Sequence, residues 1–339
     1  MARVKVGIDR FALTAMSAIV PLALAACGAS KPAAGTQTSK KSQTETGAPA
    51  TIPFPSGLYV SDVHANTVTL LGTQPPVSIS ASLAHPDSMA FFGRGQLWIA
   101  NGSVTNPGLV EYVEGAGGKP KIAADFTIPG SPEGIAFDSA GNLWIANGNV
   151  VLELSRASLN RTAVAPKAVR VISDSLLDEP DGLAFASNGD LWVASYGNRV
   201  LTAFSAASLG SSHPQPIAHI QLPSGASPFA IAFDPHGNLW VANLTSTVYE
   251  YARGSLGTTN TPSGSISVTG YLGSGITGIA FDPHGNLWLA GIGGVASPQG
   301  LVYEYAGVGL SATVAPVAHF VASNSSNPGT WALAYLPPA

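Results

Sequence analysis

Charge is scarce in this chain. Only 10% of its 339 residues are Asp, Glu, Lys or Arg, and the formal net charge is −4. No basic stripe is present, which argues against nucleic acid as a partner. Cysteine is scarcer still: Cys27 is the only one. That excludes an intrachain disulfide and a four-cysteine metal site. No Gly-x-Ser-x-Gly elbow and no phosphate-binding loop occurs. The uncharged stretch Phe11–Ala26 falls short of the roughly 20 apolar residues that a membrane-spanning helix needs. What is abundant is glycine (38), proline (26) and hydrophobic residues (45%). That balance suits an all-β protein with many tight turns.

The N-terminus reads as a targeting segment. Arg3, Lys5 and Arg10 precede the uncharged stretch, which ends in Leu24-Ala25-Ala26-Cys27. A basic start, an apolar run and a small-residue end make a signal peptide over residues 1–26. The last four residues resemble the lipobox of bacterial lipoproteins. The resemblance implies lipidation of Cys27 and a membrane-anchored protein of the cell envelope. Gly28, rather than an aspartate, follows the cysteine. By the same resemblance this implies the outer membrane in a Gram-negative host, or the cell surface in a Gram-positive one. Acyl chains contribute about 0.8 kcal/mol per buried CH₂, so several of them anchor stably. Residues 27–55 are mostly small and polar, with almost no large apolar side chain before Ile52. They read as a flexible tether.

The remainder, residues 56–339, is a repeat. PDSMAFFGRGQLWIAN begins at Pro86, PEGIAFDSAGNLWIAN at Pro132 and PDGLAFASNGDLWVAS at Pro180. PFAIAFDPHGNLWVAN begins at Pro228 and ITGIAFDPHGNLWLAG at Ile276. Trp98, Trp144, Trp192, Trp240 and Trp288 are spaced by 46, 48, 48 and 48 residues. GIAF alternates with period two, a Gly-containing turn follows, and LWVA makes a second strand. Val248–Tyr251 and Val302–Tyr305 read as third strands, and Ser265–Thr269 as a fourth. Four antiparallel strands per unit of this length is a propeller blade. The ends complement each other. TWALAY (Thr330–Tyr335) is a first strand without a second, and GLYVSD (Gly57–Asp62) is a second without a first. The expectation is a six-bladed β-propeller, closed by pairing of the C-terminal inner strand with the N-terminal strands.

These units resemble NHL repeats and the six-bladed propellers of the SMP-30/gluconolactonase group. NHL propellers are mostly binding platforms, and SMP-30-like ones are metal-dependent lactonases. Virginiamycin B lyase has similar repeats but usually seven blades. Fold alone does not choose among these.

Within a repeat, residues present in most copies serve the blade, and residues that break the pattern are better functional candidates. The histidines of FDPHGNLW, His236 and His284, fail this test. Asp-Pro-His-Gly suits a type I turn whose third position tolerates almost any residue. Glu111, Glu153, Glu250 and Glu304 recur at one third-strand position and read as hydrogen-bonding groups of the blade edge. The start of the first strand does vary. Its occupants are Asp87, Glu133, Asp181, Phe229, Thr277 and Trp331. In propellers of this kind that position lies at the channel mouth. The residues ending the second strand return to the same face: Asp62, Asn101, Asn147, Ser195, Asn243 and Gly291. The expected funnel is rich in carboxylates and amides on one half and aromatic on the other.

Such oxygens suit Ca²⁺ or another divalent cation, which takes six to eight oxygen ligands. They also suit acid–base work. The PDG of Pro180–Gly182 resembles the metal-ligand motif of SMP-30-like enzymes, which implies Asp181 and, more loosely, Glu133 as metal ligands. The asparagine ligands of that family have no clear counterpart. His64 and His85 are the histidines nearest the mouth. The expectation is a lipid-anchored, monomeric binding module that takes a protein or small-molecule ligand in its funnel. The alternatives are a metal-dependent lactonase and, below it, a lyase.

Overall fold

The computed structural model describes residues 56–337, apart from 74–76, 94, 104, 106, 116–118, 160–165, 212, 269–274, 292–299, 307–317 and 324–329. The expected signal peptide, Cys27 and the expected tether lie outside the described residues. Six four-stranded antiparallel sheets form the ring. Their inner strands are Pro86–Phe92, Pro132–Phe137, Pro180–Phe185, Pro228–Phe233, Ile276–Phe281 and Thr330–Leu336. We number the blades one to six in that order. In blade six the C-terminal strand pairs with Gly57–Asp62, which is followed outward by Thr67–Leu70 and Val77–Ile79. The expected closure is present. Among the described residues no helix is long and apolar enough to cross a membrane.

The core is distributed. Each of the six contacts between adjacent blades has its own cluster of buried side chains. This explains why the repeat exists. The tryptophan opening one second strand packs on the phenylalanine closing the next blade's inner strand. Ring centroids are 6.4 Å apart for Trp98–Phe137, 6.1 Å for Trp144–Phe185 and 5.6 Å for Trp240–Phe281. Thus the Trp of the first FDPHGNLW touches the Phe of the second.

The turn between those residues is built to hold the tryptophan. Asp234 accepts the backbone N–H groups of His236 and Asn238 on one carboxylate oxygen. On the other it accepts the Asn238 amide (2.9 Å) and the Trp240 indole N–H (3.1 Å). Asp138 makes the same four contacts in blade two. The side chains of His236 and His284 are exposed. They sit at the end of the inner strand opposite its start.

The recurring glutamates stand opposite the tryptophans in the ladder, as in Trp98–Glu111 and Trp240–Glu250. Glu111 accepts a hydrogen bond from the Gln96 amide, and Glu153 pairs with Arg170. Burial raises the Glu250 carboxyl above the ordinary range, and the charge of Asp234 adds to this. A carboxyl whose pKa rises on folding supports the fold below about pH 4, and loses that contribution as pH climbs through the folded value. Glu250→Gln is therefore expected to raise the melting temperature at pH 7. The advantage should vanish below about pH 4. An equal gain at both pH values in thermal melts would assign the effect to something other than charge.

Candidate binding site at the channel mouth

The six inner strands start with the same irregularity. In blade three Pro180 pairs with Ser195 and Gly182 with Ala194, so Asp181 is an extra residue in the ladder. The same shift brackets Asp87, Phe229 and Thr277. In blades two and six it falls between Pro132 and Ile135 and between Thr330 and Leu333. A bulge removes a residue from the strict alternation of the strand and re-aims its side chain. Here all six, Asp87, Glu133, Asp181, Phe229, Thr277 and Trp331, line one cavity of about 110 Å³. Pockets that enclose whole drug-sized ligands run to about 300–1,000 Å³. This one holds several waters or a small head group.

The walls differ in chemistry. Blades one to three contribute the acids. Asp87 is 7% exposed and hydrogen-bonds His85 Nδ1 at 2.6 Å. Glu133 accepts the Ser131 hydroxyl at 2.6 Å. Blades four and six contribute rings: Phe229 and Trp331 meet edge to face, with centroids 5.0 Å apart. Val63 and Leu244 pack against them. Thr277, between them, donates its hydroxyl proton to the Thr330 carbonyl at 2.9 Å and so ties blade five to blade six.

The residues ending the second strands do not line this cavity. They reach the mouth end and turn to nearby backbone. Asn101 accepts the Ala84 N–H and donates to the Ser82 carbonyl. Asn147 does the same with Ser131 and Pro129. Each latches the loop leading into its own blade's inner strand. Asn243 donates to the Thr247 carbonyl, and Asp62 accepts the N–H groups of His64 and Ala65. Ser195 is fully buried, too short to copy the asparagine latch. An amide at a strand end finds unpaired loop backbone closer than it finds the channel.

His85 belongs to the mouth as well. It precedes the blade-one inner strand with φ of +60°, a left-handed conformation that non-glycine residues seldom adopt. Its ring lies on Asp87 and meets Trp331 edge-on at 6.0 Å. It thereby connects the acidic wall to the aromatic one.

A resident cation would need several of these acids to converge on one point. Among the described residues no three His, Cys, Asp or Glu side chains come together as a metal-holding group. Glu133 and Asp181 line one cavity without forming such a group, and the third acid is engaged by His85. A metal centre built from three or more such side chains is therefore not formed among the described residues.

No protein family matches the chain, and no curated protein matches it. Solved structures do. A protein of unknown function from Bacteroides caccae superposes with a TM-score of 0.61 at 12% identity, covering 82% of this chain and 98% of its own. A candidate 6-phosphogluconolactonase from Bacteroides uniformis gives 0.55 at 13% identity, covering 78% and 82%. A streptogramin B lyase gives 0.50 at 15% identity, covering 75% and 84%. At such identities the likeness is one of architecture, and the chain is a β-propeller whose neighbours carry more than one chemistry.

Proposed function

We propose that this protein is a binding propeller, held at the membrane by a lipid on Cys27, whose channel mouth takes a small ligand or one group of a larger partner. The observation that carries the reading is the ring of six bulge residues. They present acids on three blades and aromatics on two others around one small cavity, with no metal-holding group among the described residues. The lipobox-like Leu24–Cys27 supports the anchor.

A second reading, a proton-transfer enzyme, has one specific support. Asp87 is buried and orients the half-exposed His85 imidazole at 2.6 Å, an arrangement suited to a general base. A lactonase would have to hold its metal on Glu133 and Asp181 without a third carboxylate, histidine or cysteine among the described residues.

Saturation-transfer NMR with a library of small polar fragments tests the binding reading on the full-length chain in detergent. Expected are hits that lose contact in Trp331→Ala and remain chemically unchanged. A hit consumed by the wild type but not by His85→Ala would establish the enzyme instead. No hit sensitive to Trp331 would remove the site. In the same cells, Cys27→Ser should release the chain from the membrane fraction; retention would remove the anchor.

A further inference from the structure

The two walls of the cavity are matched to one kind of ligand. Besides the ring acids, Asp62 ends a second strand at the mouth face, and Asp174, Asp178 and Glu179 lie on the loop that enters the blade-three inner strand. Among the described residues of the mouth-face loops the only fixed cation is Arg199. A concave site walled by one sign of charge concentrates ligands of the opposite sign. The opposite wall presents the rings of Phe229 and Trp331, and aromatic faces attract cations with little hydration.

Trp331 adds an independent observation. It is only 7% exposed, it lines the cavity, and among the described residues its indole N–H has no hydrogen-bond partner. A buried unpaired donor is costly, so a ligand that turns this ring enough to bring an acceptor oxygen to the N–H recovers that cost. The small volume fits a head group rather than a whole molecule.

We infer that the channel mouth recognises an organic cation: an ammonium or guanidinium head group that carries a nearby hydroxyl or carbonyl oxygen. This rests on the binding reading above. The acids of blades one to three neutralise the charge, the rings of blades four and six cover its apolar surface, and the indole N–H meets the oxygen. An organic cation is favoured over a metal ion, because among the described residues the acids do not gather into a group of three.

Three probes of nearly one shape test this on the full-length chain by isothermal titration calorimetry. They are choline, the uncharged 3,3-dimethylbutan-1-ol and the anionic 3,3-dimethylbutanoate. Choline is expected to bind at least about tenfold more tightly than the neutral probe. The anion should not bind. Asp181→Asn and Glu133→Gln should each weaken choline about threefold or more, with unchanged melting curves and a shallower salt dependence. Equal binding of choline and the alcohol, or preference for the anion, overturns the cation inference and leaves the binding reading standing. If no probe binds while the fragment screen gives Trp331-dependent hits, the cation inference alone falls. If the screen also fails, both fall.

Discussion

Removing Thr330–Leu336 is expected to abolish the cooperative melting transition of the protein. That strand is the inner strand of blade six, and the rest of its blade comes from the other end of the chain. Its loss strips Gly57–Asp62 of its inner partner and uncovers Leu58, Tyr59 and Val60, all buried in the intact ring. It also removes Leu333, Ala334 and Leu336 from the core clusters that join blade six to blades five and one. The loss exposes the inner edge of Gly57–Asp62 and uncovers apolar surface on the flanking blades at once, so association is expected to follow. Differential scanning calorimetry and light scattering check this. A truncated chain that still melts in one sharp transition as a monomer would show that the other five blades stand without closure. A synthetic peptide of residues 326–339, supplied in trans, is expected to restore part of the transition.

Gly134→Ala should cost about 3 kcal/mol, at the upper end of what overpacking a close contact costs. A Cβ at Gly134 would lie 1.9 Å from the carbonyl oxygen of Asp181 in the next blade. That atom belongs to the backbone of a bulge and cannot rotate aside. Gly182 faces the Phe229 carbonyl and Gly278 the Trp331 carbonyl in the same way. The third residue of PEG, PDG and ITG is therefore glycine because adjacent inner strands approach too closely for a side chain. Gly210→Ala is the control. A methyl group there would have nothing within 4 Å, and the residue's φ is ordinary, so the melting temperature should barely change. If both substitutions were equally mild in urea titrations, the tight channel waist would be wrong.

The fold was readable because every blade solves the same problem. A Trp of one blade meets a Phe of the next at three of the six contacts, and in blades two and four a turn Asp holds that Trp, so the solution is written repeatedly. The turn chemistry was only partly readable. Asp-Pro-His-Gly is a good turn, but spacing alone did not reveal that Asp234 also holds the indole of Trp240. The mouth was partly readable too. Asp87, Glu133, Asp181, Phe229, Thr277 and Trp331 could be aligned, and they line one cavity. The amides Asn101 and Asn147 reach the same end, and strand position cannot distinguish facing a channel from latching a loop. The place of His85 near the mouth was readable, but its contact with Asp87 was not. It lies over Asp87 through a single left-handed backbone angle, which the preceding residues do not announce.

The six bulges have one more consequence. A residue inside a strand is constrained by its ladder partner and by the core behind it. A residue that the ladder skips is released from the first, although Thr277 still bonds the Thr330 carbonyl and Phe229 and Trp331 still pack together. Blades four and five share FDPHGNLW to the letter yet carry Phe229 and Thr277 at this place. The ring of extra residues is thus a set of six interchangeable sockets in a fixed frame. The chemistry presented to the cavity can differ there from blade to blade while the strand frame stays the same.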